Sequence, residues 1–300
     1  MFIISSTQKS KLTARQKRLR QTFIQMEDQR SNTNRLERDP LGRIHGFDDP
    51  LDQEVAALCA AQIAYGRVDL FLPVLDRLFK RMNDLGGPRS FVMHALETPN
   101  SEFWDSLSYR WTRGSDWKLF LQALRGFFLK EQSLKLAFES RWERLNDIGD
   151  CLEEVVGELS RQVQTCTSIR PIPRGTRYFL VAPSGGSACK RWMLFLRWTV
   201  RPADGVDLGL FQIPASALMM PLDTHVLRIG RFLGMVKRSD ASWRTAKELT
   251  TAMAAFDPTD PTRFDFALAH VGISSGCTGY RVEPPCETCA IREFCSAPKR

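Results

Sequence analysis

Apolar positions recur at three- and four-residue spacing through most of the 300-residue chain, the pattern of helices with a buried face. In "DDPLDQEVAALCAAQIAYG", Asp49 is placed to cap a helix and Pro50 to occupy its first turn. Val55, Leu58, Cys59, Gln62 and Ile63 follow on one stripe, and Gly66 predicts the stop. "VDLFLPVLDRLFKRM", "SDWKLFLQALRGFFLKEQSLKLAFESRW" and "CLEEVVGELSRQVQ" predict further amphipathic helices, separated by the breakers "DLGGP" and "RPIPRGT". "SWRTAKELTTAMAAF" and "DPTRFDFALAHVG" predict two late helices, the second opened by Pro261 after Asp260. The best strand candidate is the short "RYFLVAP". The expected fold class is all-α.

Composition narrows this little. At 43% hydrophobic and 25% charged, the chain reads as globular. No run approaches the length of a membrane helix, and "MFIISS" puts apolar residues before basic ones, the wrong order for a secretory signal. The expectation is a cytoplasmic protein that does not enter the membrane. The net charge of +8 changes the picture more. Lys9, Lys11, Arg15, Lys17, Arg18 and Arg20 fall in the first twenty residues with no acid among them. Residues 1–20 therefore read as a basic arm, either a solvated, disordered tail or a strand-following contact to phosphate.

Candidate chemistry starts at the C-terminus. Cys277, Cys286, Cys289 and Cys295 lie within nineteen residues, spaced x8, x2 and x5. A reducing compartment disfavours disulfides, so clustered thiols point to metal. A zinc ribbon would show two close pairs, and only one is present. Four thiolates on a compact loop, kept out of a helix by Pro284 and Pro285, suit a [4Fe–4S] cluster, with zinc as the alternative. Upstream, Asp223 in "PLDTHVLRIGRFLG" can be a plain N-cap, or a carboxylate held ionised by the helix start for use in chemistry. "VAPSGGSACKRWMLFLRWTV" places Gly185 and Gly186 in a turn whose N–H groups can cradle a phosphate. Lys190, Arg197 and Arg201 share a face of the following helix, a basic face for phosphate or simply a solvated edge. Gln62 is a polar residue on a core stripe. It is either hydrogen-bonded internally or functional.

These motifs, in this order, resemble helix-hairpin-helix DNA glycosylases of the endonuclease III and MutY type. The four-cysteine loop resembles their C-terminal iron–sulfur loop, with eight residues in the first gap where the family has six. "LDTHVLRIGRFLG" resembles the element carrying their catalytic carboxylate, which Asp223 matches, with His225 on the phosphate side. "SGGSACKRW" resembles a degenerate form of their hairpin, and Lys190 matches its Schiff-base lysine. "CAAQIAYGRVD" resembles the element whose glutamine fills the place of an extruded base. Gln62 matches it, with Tyr65 for stacking and Arg67 for phosphate. "GSACKR", "FLRW", "VDLG" and "PLDTHV" together resemble an uncharacterised bacterial family.

The resemblance implies a two-part helix-hairpin-helix glycosylase-like fold. Residues 46–219 would form a helical barrel-like domain, and residues 21–45 with 220–300 a second part around the metal loop. It implies DNA repair by base excision on an unknown damaged or mismatched base, with or without abasic-site lyase activity. Asp223 and Lys190 would be catalytic, and Gln62, Tyr65, Arg67, Gly185, Gly186, Arg197 and His225 would contact DNA. The alternative is a non-catalytic nucleic-acid-binding protein that keeps the scaffold. The partner would be DNA, with RNA left open, and the protein a monomer.

Overall fold

The computed structural model describes residues 12–27, 36, 39–166, 170–273 and 276–300. Its helices, in chain order, are α1 (Ala14–Glu27), α2 (Pro40–Ile44), α3 (Pro50–Ile63), α4 (Val68–Asp84), α5 (Pro88–Ser90), α6 (Ser101–Asp105), α7 (Gly114–Glu131), α8 (Leu134–Leu145), α9 (Ile148–Cys166), α10 (Arg174–Phe179), α11 (Lys190–Val200), α12 (Thr224–Phe232), α13 (Trp243–Ala254) and α14 (Asp265–Ile273). Among the described residues the only extended pairings are isolated bridges, so the all-α expectation holds. Among the described residues no helix is long and apolar enough to cross a membrane.

The architecture is built around α3. Asp49 caps it by accepting a hydrogen bond from Leu51 N at 2.7 Å, with Pro50 in the first turn. Every residue from Glu54 to Ile63 is buried. Such a helix must be enclosed on all sides, and α2, α4, α5 and α11 pack on it. Glu54 is the one carboxylate on this enclosed stretch. It accepts from Leu134 N (3.1 Å) and Lys135 N (3.0 Å) and so fastens α3 to the start of α8. Beyond α3, α7 lies along α9, with α6, α8 and α10 against α7. The long stretch expected after Ser115 is two helices. Gln132 takes a left-handed φ of 66°, and Ser133 Oγ caps α8 by accepting from Leu136 N.

Three expectations change. "RYFLVAP" is not a strand. Arg177 to Phe179 end α10, because Thr176 bonds Asp116 and Phe179 stacks on Phe120 at 4.7 Å, so tertiary packing overrides local β preference. The last helix begins at Asp265 rather than Pro261, since Asp260 Oδ1 accepts from Thr262 N and Oγ1 and closes a separate turn first. The basic arm is not a free tail over its described part. Ala14 to Glu27 form α1, and fully buried Phe23 sits against Phe256 (5.9 Å) and Phe264 (5.4 Å). Lys9 and Lys11 lie outside the described residues, as do residues 28–35, 37 and 38 of the expected second part.

Residues 40–45, also expected with the second part, pack on the first. α2 contacts α3 and α4, and His45 Nε2 is 2.8 Å from Val206 O. One continuous core runs from Leu19 to Phe294 and joins both parts.

Burial pushes the Glu54 carboxyl up to about 7, against the pull of its two backbone donors. The folded state therefore binds this proton more tightly than the unfolded chain, whose carboxyl titrates at its ordinary value near 4.5. The stabilisation it gives is complete below that value and is lost as pH rises towards 7. The unfolding free energy from urea titrations across this range should fall in the wild type by an amount on the order of 3 kcal/mol. In Glu54→Gln that part of the slope should vanish.

Candidate active site

α11 begins at Lys190, and α12 is capped by Asp223. Lys190 is the first residue of α11, and its Nζ donates to Ala64 O at 2.8 Å, at the C-terminal end of α3. Burial lowers the Lys190 ammonium below its ordinary range, with a smaller push from Arg191. The carboxylates of Asp223, Asp265 and Asp39 pull it the other way. Lys190 thus stands within electrostatic reach of Asp223, thirty-three positions away in sequence. Asp223 caps α12, its Oδ1 accepting from His225 N and Val226 N, both at 2.8 Å. Asp39 caps α2 by accepting from Leu41 N. Sequence reasoning missed Asp39 and Asp265, which lie far from Lys190 along the chain and carry no local motif.

The rest of the α11 face is not a phosphate-binding surface, and it is not a solvated edge either. Arg197 and Arg201 are buried at 5% and 6% exposure. Arg197 lies 3.6 Å from Asp207 and 3.5 Å from Asp265. Arg201 pairs with Asp207 and, at 2.7 Å, with Asp260. Buried cations require such partners, which removes Arg197 from the expected DNA contacts.

The hairpin is also committed internally. Gly185 N and Gly186 N donate to Ala182 O and Pro183 O, and Ala188 N donates to Ala241 O. Ser184 N and Oγ donate to Glu153, at 2.9 and 2.6 Å. A carboxylate therefore occupies the place where a phosphate cradle was expected.

Gln62 is fully buried, and its Oε1 accepts from Arg191 Nη1 at 3.0 Å. It does not face solvent, as a side chain that fills a vacated base position must. The Arg191 guanidinium lies 3.6 Å from the Tyr178 ring centroid and also bonds Tyr178 O. Burial pushes the Arg191 guanidinium down to about 10. Tyr65 is half-buried against Tyr109 and Tyr178, its hydroxyl donating to Tyr109 O, and burial pushes that phenol up to about 12. Arg67 is exposed and paired with Asp69. His225 sits beside Arg228, whose Nη2 donates to Cys277 O and so connects α12 to the cysteine loop.

Cys277, Cys286, Cys289 and Cys295 all line one pocket, a cavity of about 30 Å³ bounded also by Ile229, Val271, Val282 and Ile291. Burial raises the Cys289 thiol, and the other three cysteines push it the same way, so all four are close neighbours. No three His, Cys, Asp or Glu side chains among the described residues converge on a single metal-ion position. The loop is tied down by Ser296 N and Oγ donating to Phe232 O, and by Arg15 donating to Phe294 O at 2.7 Å.

Fold and site together define an all-helical protein with a desolvated lysine beside a helix-capping aspartate and four cysteines around one pocket. Residues 39–274 match the family described as protein of unknown function (DUF2400), and the chain belongs to that family. The match ends three residues before Cys277. No curated protein and no solved structure matches the chain.

Asp207 is 1% exposed between two arginines. Asp207→Ala leaves both cations buried with one carboxylate fewer. It should cost about 3–5 kcal/mol of stability, read as a lower urea midpoint.

Proposed function

We propose that this protein is a DNA base-excision glycosylase with abasic-site lyase activity, with Lys190 as nucleophile and Asp223 as its carboxylate partner. The observation that carries this reading is the electrostatic proximity of these two side chains, the lysine desolvated with its Nζ held at Ala64 O and the aspartate fixed by a helix start. Desolvation enlarges the neutral fraction of the amine, the form that attacks. The Lys190 amine forms a bond to C1′ of the sugar while the glycosidic bond breaks, and the base leaves with that electron pair. One amine proton passes by way of Asp223 to the departing base. The second goes to the ring oxygen as the sugar opens, leaving an imine to Lys190. The Asp223 charge also stabilises the cationic character that develops at C1′. The target nucleotide must leave its stack to reach this pair.

The donor set around the C-terminal pocket fits a [4Fe–4S] cluster held by Cys277, Cys286, Cys289 and Cys295. When bound, it would supply a covalent closure of the C-terminal segment rather than a reacting centre. The residues around it, Arg228 and Arg15 above all, hold the loop against α12 and α1.

A second reading is a nucleic-acid-binding protein that keeps the scaffold without the chemistry. It is favoured by Lys190 Nζ already donating to Ala64 O.

Borohydride added to the holo-protein with abasic DNA should trap a covalent adduct. The adduct should be absent in Lys190→Ala and formed at least ~100-fold more slowly in Asp223→Asn. If wild type gives no adduct but binds DNA, the second reading takes its place. If there is also no binding and no base release across a lesion panel, both fall. Anaerobically purified protein should contain about four irons and four sulfides per chain. Stoichiometric zinc without sulfide would reassign the loop to zinc.

A further inference from the structure

The stretch between residues 90 and 175 carries no sequence motif, yet it leaves one tryptophan open to solvent. Trp111 is 59% exposed, whereas Trp104, Trp117, Trp192 and Trp198 are 5% exposed or less. Trp111 sits at the tip of a two-residue turn. Tyr109 N donates to Thr112 O (2.8 Å), and Thr112 N returns a bond to Tyr109 O (3.0 Å). Arg110 takes a left-handed φ of 47° to close it.

The turn is fixed from below. Tyr65 Oη donates to Tyr109 O and Tyr109 Oη donates to Tyr65 O, both at 2.9 Å. Gly66, with φ of 81°, lets the turn lie down on the end of α3. A Cβ there would stand 2.5 Å from both Arg110 Nη1 and Tyr109 Oη. The indole is therefore displayed on a rigid base, which lowers the entropy cost of using it.

Its surroundings are cationic. The Arg110 guanidinium lies 5.7 Å from the indole centroid. Exposed Arg67 follows Gly66, and exposed Arg113 follows Thr112. Asp116 joins Arg113 to α10, accepting from Arg113 N (2.8 Å) and Thr176 Oγ1 (2.9 Å), and α10 carries exposed Arg177 in its last turn. The acids nearby are Asp69, already paired with Arg67, and exposed Asp105. An open aromatic face with a rim of arginines suits a flat ring joined to phosphates, and it suits an acidic or purely apolar partner less well. The turn also adjoins the reacting pair, because Lys190 bonds Ala64 O, two residues before Gly66.

We propose that Trp111 is a stacking site for an unpaired nucleobase, with Arg67, Arg110, Arg113 and Arg177 holding the flanking phosphates. The site rests on the nucleic-acid reading above, and gives that reading a strand-binding surface in place of the buried Gln62 and Arg197.

The test uses the full-length holo-protein and two fluorescein-labelled strands of equal length, oligothymidylate and an all-abasic analogue, followed by anisotropy. Trp111→Ala should weaken oligothymidylate binding on the order of tenfold. Trp111→Phe should retain most of the affinity, and neither variant should alter binding of the abasic strand. Unchanged thermal melting of Trp111→Ala shows that the fold is intact. Equal oligothymidylate affinity for wild type and Trp111→Ala overturns the stacking site and leaves the nucleic-acid reading standing. Equal weakening on both strands also overturns it, since the loss would then not involve bases. Failure of wild type to bind either strand also overturns the stacking site, while the trapping and base-release assays decide the nucleic-acid reading separately.

Discussion

Asp207, almost wholly removed from water between Arg197 and Arg201, is the interaction on which the site's geometry depends. The two arginines stand one helical turn apart on α11, and each has a further carboxylate, Asp265 for Arg197 and Asp260 for Arg201. A desolvated charge is tolerable only with its partners in place. The ladder therefore locks α11, the segment after it and the approach to α14 into one arrangement. α14 in turn packs on α12, which Asp223 begins. The relative placement of Lys190 and Asp223 thus depends on this buried ladder, one member of which, Asp265, also acts on Lys190.

This arrangement explains why the lysine is unusual. The opposite face of α11 is Trp192, Phe195 and Trp198, buried in the core, so the helix is enclosed on nearly every side, with Lys190 at its start turned to Ala64 O. Its ammonium is disfavoured by that enclosure even with three carboxylates in reach. The hairpin before it closes on itself, on Glu153 and on the segment before α13. The structure spends the hairpin's donors on orienting α11, not on binding an anion.

The C-terminal loop shows the same economy of charge. Arg15 reaches the Phe294 carbonyl, and Arg20 that of Phe256. Two cations that look like part of a phosphate-seeking tail are donors to the carbonyl ends of neighbouring turns, and a third, Arg18, faces Glu293. A basic composition is ambiguous in this way because guanidinium groups bind carbonyls and phosphates alike.

Local rules settled much of the fold from the sequence alone. These were the caps Asp49 and Asp223, the stop at Gly66, the all-helical class and the gathering of the four cysteines, each decided by neighbours within a few residues. What a side chain faces was not local. Gln62 and Arg197 obey helical spacing, but burial or solvent depends on which element covers that face, and only the packed structure put Arg191 against one and Asp207 against the other. The same holds for Trp111, an aromatic residue in a stretch without a motif, left in water because the turn beneath it is pinned by Tyr65 and Tyr109. Spacing along the chain determined which residues share a helix face. Long-range packing, which alone decides where water is excluded, determined which of those faces could do chemistry.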